Sequence, residues 1–190
     1  MSMAADDPAT DEPRFVIVDM QNIFADPSSA WSAPRFSHAV NGIRRLLPAF
    51  DRRVVFTRFA APERPWGSWV RYYRQWPFAL VPAGDPLYEI VPQLPTGDAP
   101  VVTRATFGKW GPELEAALGS STELILAGVS TDCCVLSTAL AAADAGMQVR
   151  VVADACAGAT EADHERALDA MRLYAPLIEI TTVDEVLGQG

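Results

Sequence analysis

Residues 123–157 read ELILAGVSTDCCVLSTALAAADAGMQVRVVADACA. Glu123–Val129 is an almost unbroken apolar run, and Val149–Ala155 (VRVVADA) is another. Between them, residues 131–145 are rich in Ala and Leu, and Gly146 suits the position after a helix C-terminus. Strands apolar on both faces are typical of a parallel sheet covered on both sides. A strand, a helix and a second such strand therefore imply a right-handed crossover between parallel neighbours.

The rest of the chain repeats this unit. Further strands are expected at Phe15–Met20 (FVIVDM), Arg53–Phe59 (RVVFTRF), Pro100–Arg104 and Leu177–Thr182. Helices are expected at about 36–50, 86–94, 111–118 and 161–174. Pro112 fits a first helical turn, and Thr160 with Asp163 forms an N-cap signal. The reading is an α/β fold: a three-layer α/β/α sandwich with a mostly parallel six-stranded sheet. Such sheets bind ligands beyond the C-terminal ends of their strands.

At 190 residues, with 49% hydrophobic and 21% charged residues, the chain is sized for one ordinary domain. Its net charge of −9 argues against nucleic acid or an anionic membrane surface as partner, and leaves a small molecule as the expected one. No apolar run reaches the length of a membrane-spanning helix. Residues 1–13 hold Asp6, Asp7, Asp11 and Glu12 with no Lys or Arg, and read as a disordered acidic leader before a single domain at 14–190. They lack the apolar segment of a signal peptide. Three cysteines, two of them adjacent, make neither a disulfide framework nor a CxxC pair. A reduced, cytoplasmic protein is expected.

The strand ends gather chemistry. The first ends in Asp19-Met20-Gln21-Asn22, the second in Thr57-Arg58, and the third in Thr103-Arg104 with Lys109 five residues on. The fourth runs through Gly128-Val129-Ser130-Thr131 into Asp132-Cys133-Cys134. Asp19 either caps a turn or serves as an acid–base group. A thiol in the first turn of a helix has a lowered pKa and is a better nucleophile. Cys133 and Cys134 differ by about 100° around the helix, and spacing alone does not choose between them or exclude two core residues. Cys156 reads as structural. The amides of the 128–131 turn suit an oxyanion hole, as any turn of this type would. The aromatic segment Pro65–Phe78 (PWGSWVRYYRQWPF) can wall or cover the site, or form an oligomer contact. Arg58 suits either a substrate carboxylate or a structural ion pair. His38 and His164, the only histidines, read as surface or capping residues, so no His-rich metal site is available.

VIVDMQNIFADP near the start, a basic residue after the third strand, and LAGVSTDCCVLSTALAAADAGMQVRVVADAC together resemble the isochorismatase-like cysteine hydrolases. This family includes nicotinamidases, N-carbamoylsarcosine amidases and isochorismatases. The resemblance covers roughly residues 14–186. It implies Asp19 as the catalytic carboxylate and Cys134 as the nucleophile. It also implies a cis Val129–Ser130 peptide that turns the Ser130 and Cys134 amides toward an oxyanion. The family's catalytic Lys falls within Arg104-Ala105-Thr106-Phe107-Gly108-Lys109. Alignment of FGKW favours Arg104 and residue type favours Lys109, so both are candidates. Expected substrate contacts are Gln21, Phe24, Arg58, Trp66, Trp69, Tyr73, Trp76 and Phe107. The nicotinamidase branch carries Asp and His metal ligands after the second strand. Here that place reads TRFAA, which implies a metal-free member without cofactors. The implied activity is hydrolysis of a small amide, ureido or carbamoyl compound through a thioester. The alternatives are vinyl ether hydrolysis with Asp19 as acid, and a non-catalytic binding or assembly protein. The family also implies a homodimer or homotetramer.

Overall fold

The structure, a computed structural model, describes residues 12–189. Most of the expected acidic leader (residues 1–11) lies outside the described residues. Its last two are tied to the domain: Glu12 pairs with Arg53 at 3.3 Å, and the Pro13 carbonyl accepts from the Arg53 guanidinium.

Six strands form one sheet: β1 (Arg14–Val18), β2 (Val54–Phe59), β3 (Val101–Arg104), β4 (Glu123–Val129), β5 (Gln148–Ala157) and β6 (Ile178–Thr181). Their order is β3-β2-β1-β4-β5-β6, and every pairing is parallel. β1 lies in the middle, which is why Phe15 to Val18 are fully buried. The chain moves outward from β1 to β3, then returns to β4 on the other side of β1. The crevice above β1 and β4 is thus the topological switch point, where such sheets bind ligands.

Helices cover both faces, as right-handed crossovers in opposite directions require. α1 (Asn22–Ala25) is one turn after β1, and α2 (Phe36–Phe50) leads to β2. α3 (Trp69–Gln75) follows β2, and α4 (Pro112–Leu118) precedes β4. α5 (Leu136–Asp144) and α6 (Glu161–Arg172) pack on each other, while the terminal α7 (Val183–Val186) packs on α2. Thr160 caps α6, accepting from the Asp163 amide at 3.0 Å. None of the described helices is long and apolar enough to cross a membrane.

Three local expectations need correction. The helix expected at 86–94 is a single 3₁₀ turn, Pro86–Tyr88. Pro92 cannot continue a helical hydrogen-bond ladder and disfavours helix at Val91. Instead Ile90 bridges Gln21, and the Val91 amide donates to the Met20 carbonyl at 2.9 Å. The aromatic segment contains a helix, α3, that was not anticipated. The helix expected from Thr131 opens as a π-turn, Thr131–Val135, in which the Ser130 carbonyl accepts from the Val135 amide at 3.1 Å.

Candidate active site

β1 ends at Val18, and the chain leaves it through Asp19 at φ +50°. Aspartate enters this left-handed region more readily than most side-chain-bearing residues. Beside it, one residue before the end of β4, stands Gly128, where φ is +125° and an added Cβ would lie 2.1 Å from the Val18 carbonyl oxygen. Glycine at this point lets the ends of β1 and β4 meet. The next peptide bond, Val129–Ser130, is cis, and the π-turn follows. β5 is irregular where it faces this region, between the Leu126 and Gly128 pairings, as sheets often are beside functional sites.

Asp19, Lys109 and Cys134 converge in this crevice. Asp19 and Lys109 are fully buried, and Cys134 is 3% exposed. The Lys109 ammonium lies 2.8 Å from Asp19 Oδ2. That oxygen takes no well-aligned hydrogen bond, so the contact is essentially a charge pair. The other carboxylate oxygen accepts from the Thr57 hydroxyl at 2.7 Å. Lys109 Nζ also donates to the Thr106 carbonyl at 2.8 Å and sits 5.1 Å from the Phe59 ring centroid. Its own amide donates to the Thr138 hydroxyl at 2.9 Å, and that hydroxyl donates to the Cys134 carbonyl at 2.7 Å. Thr138 therefore ties the lysine loop to the cysteine turn.

The two cations proposed from sequence are now distinguished by position. Lys109 meets Asp19. Arg104 turns away, pairs with Glu113 at 3.0 Å and lies over Gly111. Cys134 also departs from expectation, because its thiol pKa is raised well above the ordinary value, not lowered. Burial is the largest cause and the Asp19 charge the second; Lys109 opposes both. The resting group is a neutral thiol beside a carboxylate. Burial and Asp132 push the Cys133 thiol up to about 11.

Above Cys134 lies a cleft of about 320 Å³. Cys133, Ser130, Asp132, Ser32, Ala30 and Ala159 line it together with six aromatic rings: Phe24, Trp31, Phe59, Tyr72, Trp76 and Phe107. Trp31 is central, with ring centroids of Phe24, Phe59, Tyr72, Trp76 and Phe78 at 5.3–6.3 Å. Sequence reasoning missed Trp31 because it stands alone in DPSSAWSAP, outside the aromatic-dense segment. It also missed the roles of Thr57 and Thr138. A threonine four residues after a helical cysteine is itself a signal for back-bonding to that carbonyl.

Of the expected substrate contacts, Phe24, Trp76 and Phe107 line the cleft. The others do not. Gln21 is fully buried and spent on backbone: its amide donates to the Phe59 and Tyr88 carbonyls, and its oxygen accepts from the Phe59 amide. Arg58 alternates away from Thr57 and Phe59 along β2, donates to Thr103 and lines a different surface groove. Trp66 is half exposed and meets Trp69 at a tilt, with ring centroids 6.4 Å apart. Trp69 supports Phe107 from outside, with centroids 5.1 Å apart. Tyr73 is buried behind Trp69 and Tyr72, with its hydroxyl unpartnered.

His164 is not a surface residue. It is buried, its Nδ1 lies 2.8 Å from the Thr131 hydroxyl at the head of the π-turn, and burial lowers its pKa. Cys156 is buried in β5. Among the described residues, no group of three or more His, Cys, Asp or Glu is placed to hold a metal ion.

The isochorismatase domain family matches residues 14–185 of this chain. The chain belongs to that family. Among curated proteins, it is 38% identical to isochorismatase domain-containing protein 2 of Xenopus laevis over 102 residues, covering 52% of this chain and 49% of that protein. The chain thus spans about half the length of that relative. A cysteine hydrolase from Pseudomonas syringae pv. phaseolicola superposes with a TM-score of 0.80 at 21% identity, covering 94% of this chain and 92% of the other. N-carbamoylsarcosine amidase from Thermoplasma acidophilum superposes with a TM-score of 0.73 at 22% identity, covering 91% and 97%. At these identities the two structures speak for the fold. The chain is therefore an isochorismatase-domain protein by family, with a six-stranded all-parallel sheet.

Proposed function

We propose that this isochorismatase-family chain is a cysteine hydrolase that cleaves the C–N bond of a small amide, ureido or carbamoyl compound. The observation that carries the reading is the buried Asp19–Lys109 pair, whose charges both act on Cys134 at the base of an aromatic cleft. Asp19 takes the thiol proton as Cys134 Sγ attacks the carbonyl carbon. The Ser130 and Cys134 amides hold the developing oxyanion. Collapse breaks the C–N bond, and the leaving nitrogen takes the proton from Asp19. Water then gives a proton to Asp19 and attacks the thioester. The carboxylic or carbamic acid leaves, and the proton returns to the thiolate. Lys109 neutralises Asp19 through the cycle, and Arg104 takes no part.

Because the resting thiol is neutral, its proton leaves only as the carbonyl arrives. This keeps the nucleophile quiet in the empty site. The test is intact-protein mass spectrometry on a slowly turned-over amide. A covalent acyl adduct on Cys134 is expected, absent from Cys134→Ala, with turnover lost in the same variant. Turnover that survives Cys134→Ala would overturn the reading and return the chemistry to an acid-catalysed route through Asp19.

A further inference from the structure

Charge in the cleft is one-sided. Among the described residues, Asp132 is the only charged side chain lining it, and no Lys or Arg does so. Arg58 donates to Thr103 and Arg104 pairs with Glu113. Arg35 pairs with Glu161, and Arg71 lines a separate depression beyond Phe107. The charge of Lys109 is matched by Asp19 beneath the cleft. Asp132 keeps acceptor capacity: Oδ1 accepts from the Ala159 amide at 2.9 Å, while Oδ2 receives only the weak Cys133 thiol donor at 3.7 Å. Opposite stand the faces and edges of Trp31, Tyr72 and Trp76. Aromatic faces carry negative quadrupole potential, attract ammonium groups and repel carboxylates.

We propose that the cleft selects by charge, taking an amide whose remote end is cationic, an ammonium or quaternary ammonium, in preference to a neutral isostere and excluding a carboxylate. This rests on the hydrolase reading for the position of the amide, with its carbonyl at Cys134. The cationic end then lies among the rings and near Asp132. A net-acidic protein with a guanidinium clamp could take an anionic substrate; here no guanidinium lines the cleft.

Three amides of one shape separate the possibilities: 4-(trimethylammonio)butanamide, 5,5-dimethylhexanamide and glutaramate. Binding is read by tryptophan fluorescence in the Cys134→Ala variant, so the charge order is visible whatever the chemical route. Turnover is read by ammonia release from the unmodified protein. The cationic amide is expected to bind about ten-fold tighter than the neutral one, and glutaramate at least ten-fold weaker than the neutral one. Added salt should weaken the cationic amide and leave the neutral one unmoved. Asp132→Asn retains an acceptor for the Ala159 amide and should bring the cation-to-neutral ratio toward one. Neutral binding equal to or tighter than cationic, glutaramate binding as tight as neutral, or binding of none of the three at millimolar concentration overturns the proposal. The hydrolase reading fails separately, through turnover that does not need Cys134.

Discussion

Replacing Lys109 with methionine leaves a side chain of similar length in the same fully buried slot and removes its charge. Asp19 Oδ2 then has no partner, since Lys109 at 2.8 Å is its only charge contact and it takes no aligned hydrogen bond. Removing one member of a buried ion pair costs about 3–5 kcal/mol, because a lone charge remains in a low-dielectric site. Burial is complete on both sides, so solvent screening does not reduce this figure. Asp19→Asn in the same background removes the stranded charge and keeps an acceptor for the Thr57 hydroxyl. The double variant is therefore expected to recover at least about 2 kcal/mol relative to Lys109→Met alone. Urea unfolding of all four proteins in the cycle measures this directly. Turnover should be lost in both single variants and in the double. Stability that returns without activity separates the role of the pair in folding from its role in chemistry. Additivity of the two single changes to within about 0.5 kcal/mol would refute the coupling.

Arg104→Ala removes only a partly exposed pair with Glu113. It should cost no more than about 1 kcal/mol in unfolding and change kcat/KM less than two-fold or so. Thr138→Val breaks the link from the Cys134 carbonyl to the Lys109 amide. It is expected to cost about 1–3 kcal/mol by chemical denaturation and to lower kcat more than it raises KM. Cys156 is fully buried, and burial pushes its thiol from 9.0 up to about 12. The folded state holds this proton more tightly than the unfolded one. Its contribution is therefore whole below pH 9 and lost as pH rises toward 12, about 1.4 kcal/mol by pH 10. Melting curves of Cys156→Ala should show a flatter alkaline limb than the parent. Gly128→Ala should destabilise by more than about 1 kcal/mol, since its Cβ would meet the Val18 carbonyl at 2.1 Å with φ at +125°. Thermal melts that match the parent would show that β1 and β4 need no such approach.

The order of elements was legible because local chemistry specifies it. Glu123–Val129 was read to the residue, and the N-cap at Thr160 was read from its acids. The helix expected at 86–94 failed for a local reason, Pro92, and for a nonlocal one: Ile90 and Val91 answer to Gln21 and Met20, about seventy residues away. Gln21 failed likewise. Its residue type suits a ligand contact, but β2 and the 3₁₀ turn arrive to use all of its side-chain hydrogen bonds.

Asp19, the 128–134 turn and its two cysteines were thus marked by sequence alone, since a polar group at the end of a buried strand is a local anomaly. Three matters waited for the tertiary structure. Lys109 rather than Arg104 reaches Asp19, because the loop after β3 folds back onto Thr138. The Cys134 thiol is held neutral, because burial and a neighbouring carboxylate outweigh both Lys109 and any helix-terminus effect. Among the described residues the cleft is lined by Asp132 and by no cation, with Arg58 turned to Thr103 and Arg104 to Glu113. Each depends on the distances between charges from separate segments and on how far water is excluded from them, which spacing along one chain does not encode.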